Sequence, residues 1–243
     1  LPLEQPGAEE HAFRAGQLHV TWALPLSKVL PLQQEKSPNL RIDPYLETYF
    51  FRLNVRQAPL ADARIRRALS LAIDRDTLAA KILPGGRLPA PTFTSPLLAG
   101  YTPPARRAYD LAAARQLLAD AGHPGGAGLP PIEILYHNSE ILRIVSEAIQ
   151  QMWSRDLGVK VSLANQEKKT VFANRRAGDY QVLLGSWTAD YLDATTYLDM
   201  WRSDSGNNHT GWSDPAYDAL TDRANTIADR TERAAVLQQA ETL

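Results

Sequence analysis

A chain of 243 residues, 44% hydrophobic and 22% charged, has ordinary globular composition, which excludes a disordered or fibrous protein. Lys plus Arg number 26 against 27 Asp plus Glu, a net charge of −1 that leaves little counterion release to drive binding to nucleic acid. There is no cysteine, hence no thiol chemistry or disulfide, and no run of about 18 apolar residues that could span a bilayer.

The opening Leu1-Pro-Leu-Glu-Gln-Pro6 lacks the charged start and apolar core of a signal peptide, so a targeting segment is expected outside this sequence. Phe13–Trp22 reads as a helix end and a strand around Leu18–Trp22, after which Pro25, Pro31 and Pro38 are expected to break anything long. Tyr49–Val55, aromatic and β-branched, predicts a strand. Asp62 is a good N-cap for a helix whose apolar stripe is Ile65, Ala68, Leu69, Ala72 and Ile73. Asp76 caps a second short helix through Leu83, stopped by Pro84-Gly85-Gly86. Pro89, Pro91, Pro96, Pro103 and Pro104 then predict an extended loop over 87–105.

Asp110 caps a helix with Leu111, Ala114, Leu117, Leu118 and Ala121 inward, ended by Gly122 and Pro124. Ile132–Tyr136, Val159–Leu163 and Tyr180–Gly185 read as strands. Between them fall a long helix over about Ser139–Asp156, ended by Gly158, and a short one over Thr170–Arg176, closed by Gly178. Two more helices finish the chain, one opened by Asp214-Pro215 and one over about Thr231–Leu243. Strand–helix alternation of this kind is an α/β signature, and 132–163 is long enough for a crossover connection.

Catalytic signatures are missing from the sequence. The histidines 11, 19, 123, 137 and 209 are scattered, so no metal site is expected, and there is no Gly-x-Ser-x-Gly elbow. The arginine clusters at 64/66/67, 106/107 and 175/176 read as solvated helix faces. What stands out is Gly185-Ser-Trp-Thr-Ala-Asp190-Tyr191, a carboxylate beside two large aromatics just past a strand end, where α/β folds dock ligands. Asp190 walled by Trp187 and Tyr191 suits capture of an ammonium group. Asp190 and Asp193 also both precede Thr195–Met200 as helix caps, with Trp187 then in the core; the residues alone weigh evenly between the two.

Four stretches in order carry a resemblance: Asp43–Asn54, Asp62–Arg75, Leu157–Glu167 and Ser186–Tyr191. With these the chain resembles the extracellular solute-binding proteins of the oligopeptide/dipeptide family. The resemblance implies an α/β, periplasmic-binding-protein-like lobe of the class II type, with a mixed sheet flanked by helices. It implies that 1–45 are a remnant of a first lobe and that 46–243 form the second, lacking its C-terminal return strands. It further implies a monomeric, non-enzymatic receptor without cofactor, periplasmic or extracytoplasmic, which docks on an ABC permease of the inner membrane. A short peptide would lie as an added strand between two lobes that close by hinge bending.

By the same resemblance the ammonium-binding aspartate falls on Asp190 and the backbone-pairing strand on Ser186, Trp187 and Thr188. Trp187 also walls a side-chain pocket, Tyr191 adjoins it, and an arginine near the pocket falls on Arg175. Two positions depart from the pattern. Leu184 stands where some relatives carry a basic residue, and Leu142 where some carry a histidine used near the peptide's carboxyl end, which leaves the carboxylate partner open, with Arg143 as one candidate. The family also contains receptors for non-peptide ligands such as nickel chelates, glutathione and sugars, and sensor domains of transcription regulators.

Overall fold

The structure is a computed structural model that describes residue 3 and residues 5–83, 85–105 and 109–243. Pro84 and the Arg106/Arg107 pair lie outside the described residues. In chain order the first elements are α1 (Pro6–Arg14), α2 (Leu26–Gln34), β1 (Glu47–Leu53), α3 (Ala63–Leu71) and a single turn, α4 (Arg75–Thr77). A wider π-type turn over Leu78–Ile82 follows. Next come α5 (Leu111–Asp120), β2 (Ile132–His137), α6 (Glu140–Leu157), β3 (Val161–Gln166), α7 (Lys168–Ala177) and β4 (Val182–Thr188). The chain closes with α8 (Thr195–Leu198), α9 (Pro215–Thr226) and α10 (Arg230–Thr242).

These elements form two compact units, one of Leu1–Pro44 with Asp76–Pro89 and one of Tyr45–Arg75 with Ala90–Leu243. The segment 76–89 thus groups with the chain's first residues, although the sequence reads continuously from 46 onward. In the first unit the expected strand around Leu18–Trp22 does not form. The amides of Trp22 and Ala23 donate instead to the Glu9 carboxylate at 2.9 and 3.1 Å, which leaves no ladder for them to join. Pro31, expected as a breaker, sits inside α2, where burial of Leu26 and Val29 along one side holds the helix despite the lost intrahelical bond.

The second unit is built on a four-stranded mixed sheet in the order β1-β4-β2-β3. β1 runs antiparallel to β4 from Glu47↔Thr188 to Leu53↔Val182, and β2 runs parallel to both β3 and β4. Alternation along the strands gives the sheet two buried faces. One carries Phe51, which meets Trp153 of α6 at 5.8 Å between ring centres. Trp153 is buried and donates its indole N–H to the Leu69 carbonyl at 2.9 Å, tying α6 to α3. The other face carries Leu135 and Leu183, packed with Val171 of α7 and with Tyr180. A further cluster of Leu98, Tyr101, Tyr197, Leu198, Tyr217, Val236 and Leu237 joins α8, α9 and α10 to the loop before α5.

Helix ends follow local chemistry. Asp62, Asp110, Asp214 and Asp229 each accept a backbone N–H in the first turn of the helix they open. Gly158 and Gly178 adopt the left-handed conformation that closes α6 and α7. Gly158 also admits the close approach of the Gly125 carbonyl, which a side chain there would meet.

The limits of β3 and β4 shift from expectation by two or three residues. Val159 is spent on the α6 cap, its amide bonding the Trp153 carbonyl, so β3 begins at Val161. β4 begins after Tyr180, whose hydroxyl is held by the His209 carbonyl at 2.6 Å, and runs on through Ser186–Thr188 because β1 pairs with it to the end.

Candidate functional site

β4 is paired on both sides only at its start. β2 meets it at Ile134↔Val182 and Leu135↔Leu183, and no later bridge between them occurs among the described residues. β1 accompanies it throughout. In this antiparallel pair, Asn54 N–H donates to the Gln181 carbonyl and Ala189 N–H to the Leu46 carbonyl, both at 2.9 Å. The odd-numbered residues of β4 therefore bond toward β1, and the N–H and C=O of Ser186 and Thr188 point the other way. Among the described residues those groups make no backbone bond outside the ladder. The end of β4 is an open edge.

The turn after this edge is held by α8. The Trp187 indole N–H donates to the Thr196 carbonyl at 2.7 Å, and the Asp190 amide donates to Thr196 Oγ1 at 2.9 Å. Tyr191 and Thr195 hydroxyls lie 3.2 Å apart. Trp187, half-buried, packs its ring on the α8–α10 cluster and is fixed as a wall. It is at once core and lining.

Asp193 resolves the two readings of the paired aspartates. Its carboxylate accepts from the Thr195 amide at 3.0 Å and hydroxyl at 2.7 Å, and from Arg233 at 2.6 and 2.9 Å. Arg233 first, with the Thr195 bonds, holds its pKa down to about 2 against the opposing effect of burial. Asp193 is the cap. The Asp190 carboxylate is exposed and enters no hydrogen bond or ion pair among the described residues. A negative charge is thus left unengaged at the end of an open strand edge.

Arg175 comes from another element. It stands in the last turn of α7 with its guanidinium 4.8 Å over the Phe172 ring. The charge of Arg175 acts on Arg52 of β1, which sequence reasoning passed over, although a lone arginine in the apolar run Tyr49–Leu53 was a visible signal. Arg143 is engaged by Glu147 at 3.0 Å on the exposed side of α6, while Leu142 and Leu184 are core residues. Arg64 and Arg66 bond Asp62, the Asp120 carbonyl and the Leu60 carbonyl around the start of α3, which accounts for those two members of the cluster.

Comparison with known proteins names the family. Residues 4–209 match the family of bacterial extracellular solute-binding proteins, family 5, middle region. This chain belongs to that family. The periplasmic oligopeptide-binding protein OppA of Salmonella typhimurium is 33% identical over 99% of the chain and 46% of the relative. A probable deoxycholate-binding periplasmic protein, YgiS of Escherichia coli, is 34% identical over 100% of the chain and 46% of the relative. The Escherichia coli murein tripeptide binding protein MppA superposes with a TM-score of 0.92 at 33% identity, covering 100% of this chain and 48% of that one. The chain spans about half the length of these relatives. They are named as periplasmic binding proteins, and no helix among the described residues is long and apolar enough to cross a membrane.

Proposed function

We propose that this chain is part of the substrate-binding component of an ABC importer and that the protein binds short peptides. A peptide would add as a strand along the open edge of β4, pairing with the N–H and C=O of Ser186 and Thr188. Its N-terminal ammonium would meet Asp190, with Trp187 and Tyr191 walling the first side chain and Arg175 close to the pocket. The observation that carries this reading is the junction of the unpaired β4 edge with the unengaged Asp190 carboxylate. Backbone pairing recognises any sequence, while the ammonium fixes the register. The OppA and MppA relatives, named for oligopeptides and a murein tripeptide, support the ligand class.

In this reading 1–45 belong to a first lobe and 46–243 to a second, and the protein acts outside the cytoplasm as a monomer that delivers its ligand to a permease. The test is mass spectrometry of small molecules released by denaturing the full-length protein purified from its own host. Peptides of varied sequence are the expected result. One defined non-peptide compound would overturn it in favour of a second reading, the same fold with a different ligand. The relative named for deoxycholate, as similar as those named for peptides, is what favours that alternative.

A further inference from the structure

The sheet face on which α6 packs is apolar only part of the way along β1 and β4. Phe51 meets Trp153 of α6, and its cross-strand partner Leu184 is buried. Toward the start of β1 and the end of β4 the same face carries the pair Tyr49 and Ser186, then Glu47 and Thr188. Tyr49 is 38% exposed, and Glu47, Ser186 and Thr188 are half-buried. This end of the face has a floor of two small hydroxyl side chains, an aromatic ring beside it and a carboxylate at its limit.

That carboxylate stands close to Asp190. The Ala189 amide still bonds the Leu46 carbonyl, so Glu47 and Thr188 form a pair without ladder bonds of their own, in which side chains come nearest. Asp190 is diagonal to Glu47, a separation of about 7–8 Å in a regular ladder and within reach of long side chains. Neither carboxylate enters a side-chain hydrogen bond or ion pair among the described residues. Arg233, the cation that grips this turn, is spent on Asp193. Burial, opposed by a bond with Ser95 and joined by the Glu47 charge, raises the Tyr197 phenol, so the field of Glu47 reaches α8, which holds the Asp190 turn. Like charges on neighbouring strands destabilise a sheet, and a cation from the ligand offsets that cost.

We propose that Glu47 is a specificity-determining residue, which with Tyr49 forms a subsite for the side chain of a lysine or arginine at the first position of the bound peptide. The proposal rests on the peptide-binding reading, in which the open β4 edge places the ligand and Asp190 takes its ammonium. The stem of the basic side chain then crosses the Thr188 floor, and its head meets Glu47 with the Tyr49 ring beside it. Tyr49 and Glu47 are about 7 Å apart along the strand, a span that suits such a stem and head.

The test is calorimetric titration of the full-length protein, as wild type, Glu47→Gln and Glu47→Asp. The probes are Lys-Ala-Ala and norleucine-Ala-Ala, which share a four-carbon stem and differ in the charge. Wild type is expected to prefer the lysine peptide by about fivefold or more, Glu47→Gln to erase the ratio and Glu47→Asp to keep part of it. A wild type without preference, or a ratio unchanged in Glu47→Gln, overturns the proposal.

If neither peptide binds, the peptide reading fails, and thermal melting judges the subsite separately. At matched ionic strength 1,5-diaminopentane, with a cation for each carboxylate, should raise the melting temperature of wild type more than pentylamine does, and Glu47→Gln should lose the difference. Without ligand Glu47→Gln should melt no lower than wild type, since it removes a like charge. Equal responses to the two amines overturn the subsite, as does a Glu47→Gln protein that melts lower, which would give Glu47 a cationic partner elsewhere in the full-length protein.

Discussion

Arg233 of α10 grips Asp193 through two hydrogen bonds, 2.6 and 2.9 Å long, and in doing so fixes the turn that carries Asp190. The pair is partly exposed, at 26% and 35% for the two side chains, so screening reduces its worth to about 1 kcal/mol. Asp193→Asn should lose that amount in denaturant unfolding. The sign with pH follows from the depressed pKa. Asp193 titrates at about 2 in the folded protein, against roughly 3.9 in an unfolded chain. Its contribution is therefore full above about pH 4 and is lost as the pH falls toward 2. Stability curves of wild type and Asp193→Asn should converge over that range.

Asp190→Asn keeps the shape of the turn, because the amide bond to Thr196 Oγ1 involves the backbone and not the carboxylate. Stability should be unchanged. Binding of free peptides to the full-length protein should weaken by about 2–3 kcal/mol, the scale of a charged hydrogen bond left unpaired. Peptides acetylated at the N-terminus should bind wild type and variant alike. Calorimetry with matched free and acetylated peptides separates the ammonium from the backbone, and equal affinity of the two proteins for the free peptide would remove Asp190 from the site.

The open edge of β4 makes a different prediction. Ser186→Pro deletes an N–H that faces away from β1, so the ladder survives and the fold should tolerate it, as edge strands do. Peptide affinity should fall by about 1 kcal/mol, roughly fivefold, for one lost backbone bond. Gly185→Pro removes an N–H that faces β1 and should lower the melting temperature instead. A Ser186→Pro protein with undiminished peptide affinity would mean that the ligand does not pair with this edge.

Helix ends were legible in the sequence because a cap is a local event. Asp62, Asp110 and Asp214 lie within two or three residues of the amides they accept from. Strand limits depend on partners far along the chain, so the reach of β4 to Thr188 was set by its pairing with β1, where Glu47 meets Thr188, and could not be read locally. Trp22 shows the same limit from the other side, since in a strand-like run that forms no strand its amide went to Glu9. The two aspartates before α8 were indistinguishable by spacing until Arg233, 40 residues on, claimed one of them. Arg52 escaped notice because the face on which a strand residue lies is decided by register.

Glu241, near the end of α10, tests how the long proline loop is held. Its carboxylate accepts from the Thr94 amide at 2.9 Å and the Tyr101 hydroxyl at 2.7 Å, and it is 8% exposed. Burial and then the negative charge of Glu241 push the Tyr101 phenol well above its ordinary range. Glu241→Ala leaves two buried donors without an acceptor and should cost about 2–4 kcal/mol. Tyr101→Phe removes one bond with its donor and leaves the Thr94 bond in place, so about 1 kcal/mol is expected. In a double-mutant cycle the two losses should be non-additive, since both act on one carboxylate. Urea unfolding of the three variants checks this, and additive losses would show that Tyr101 and Glu241 stabilise the loop independently.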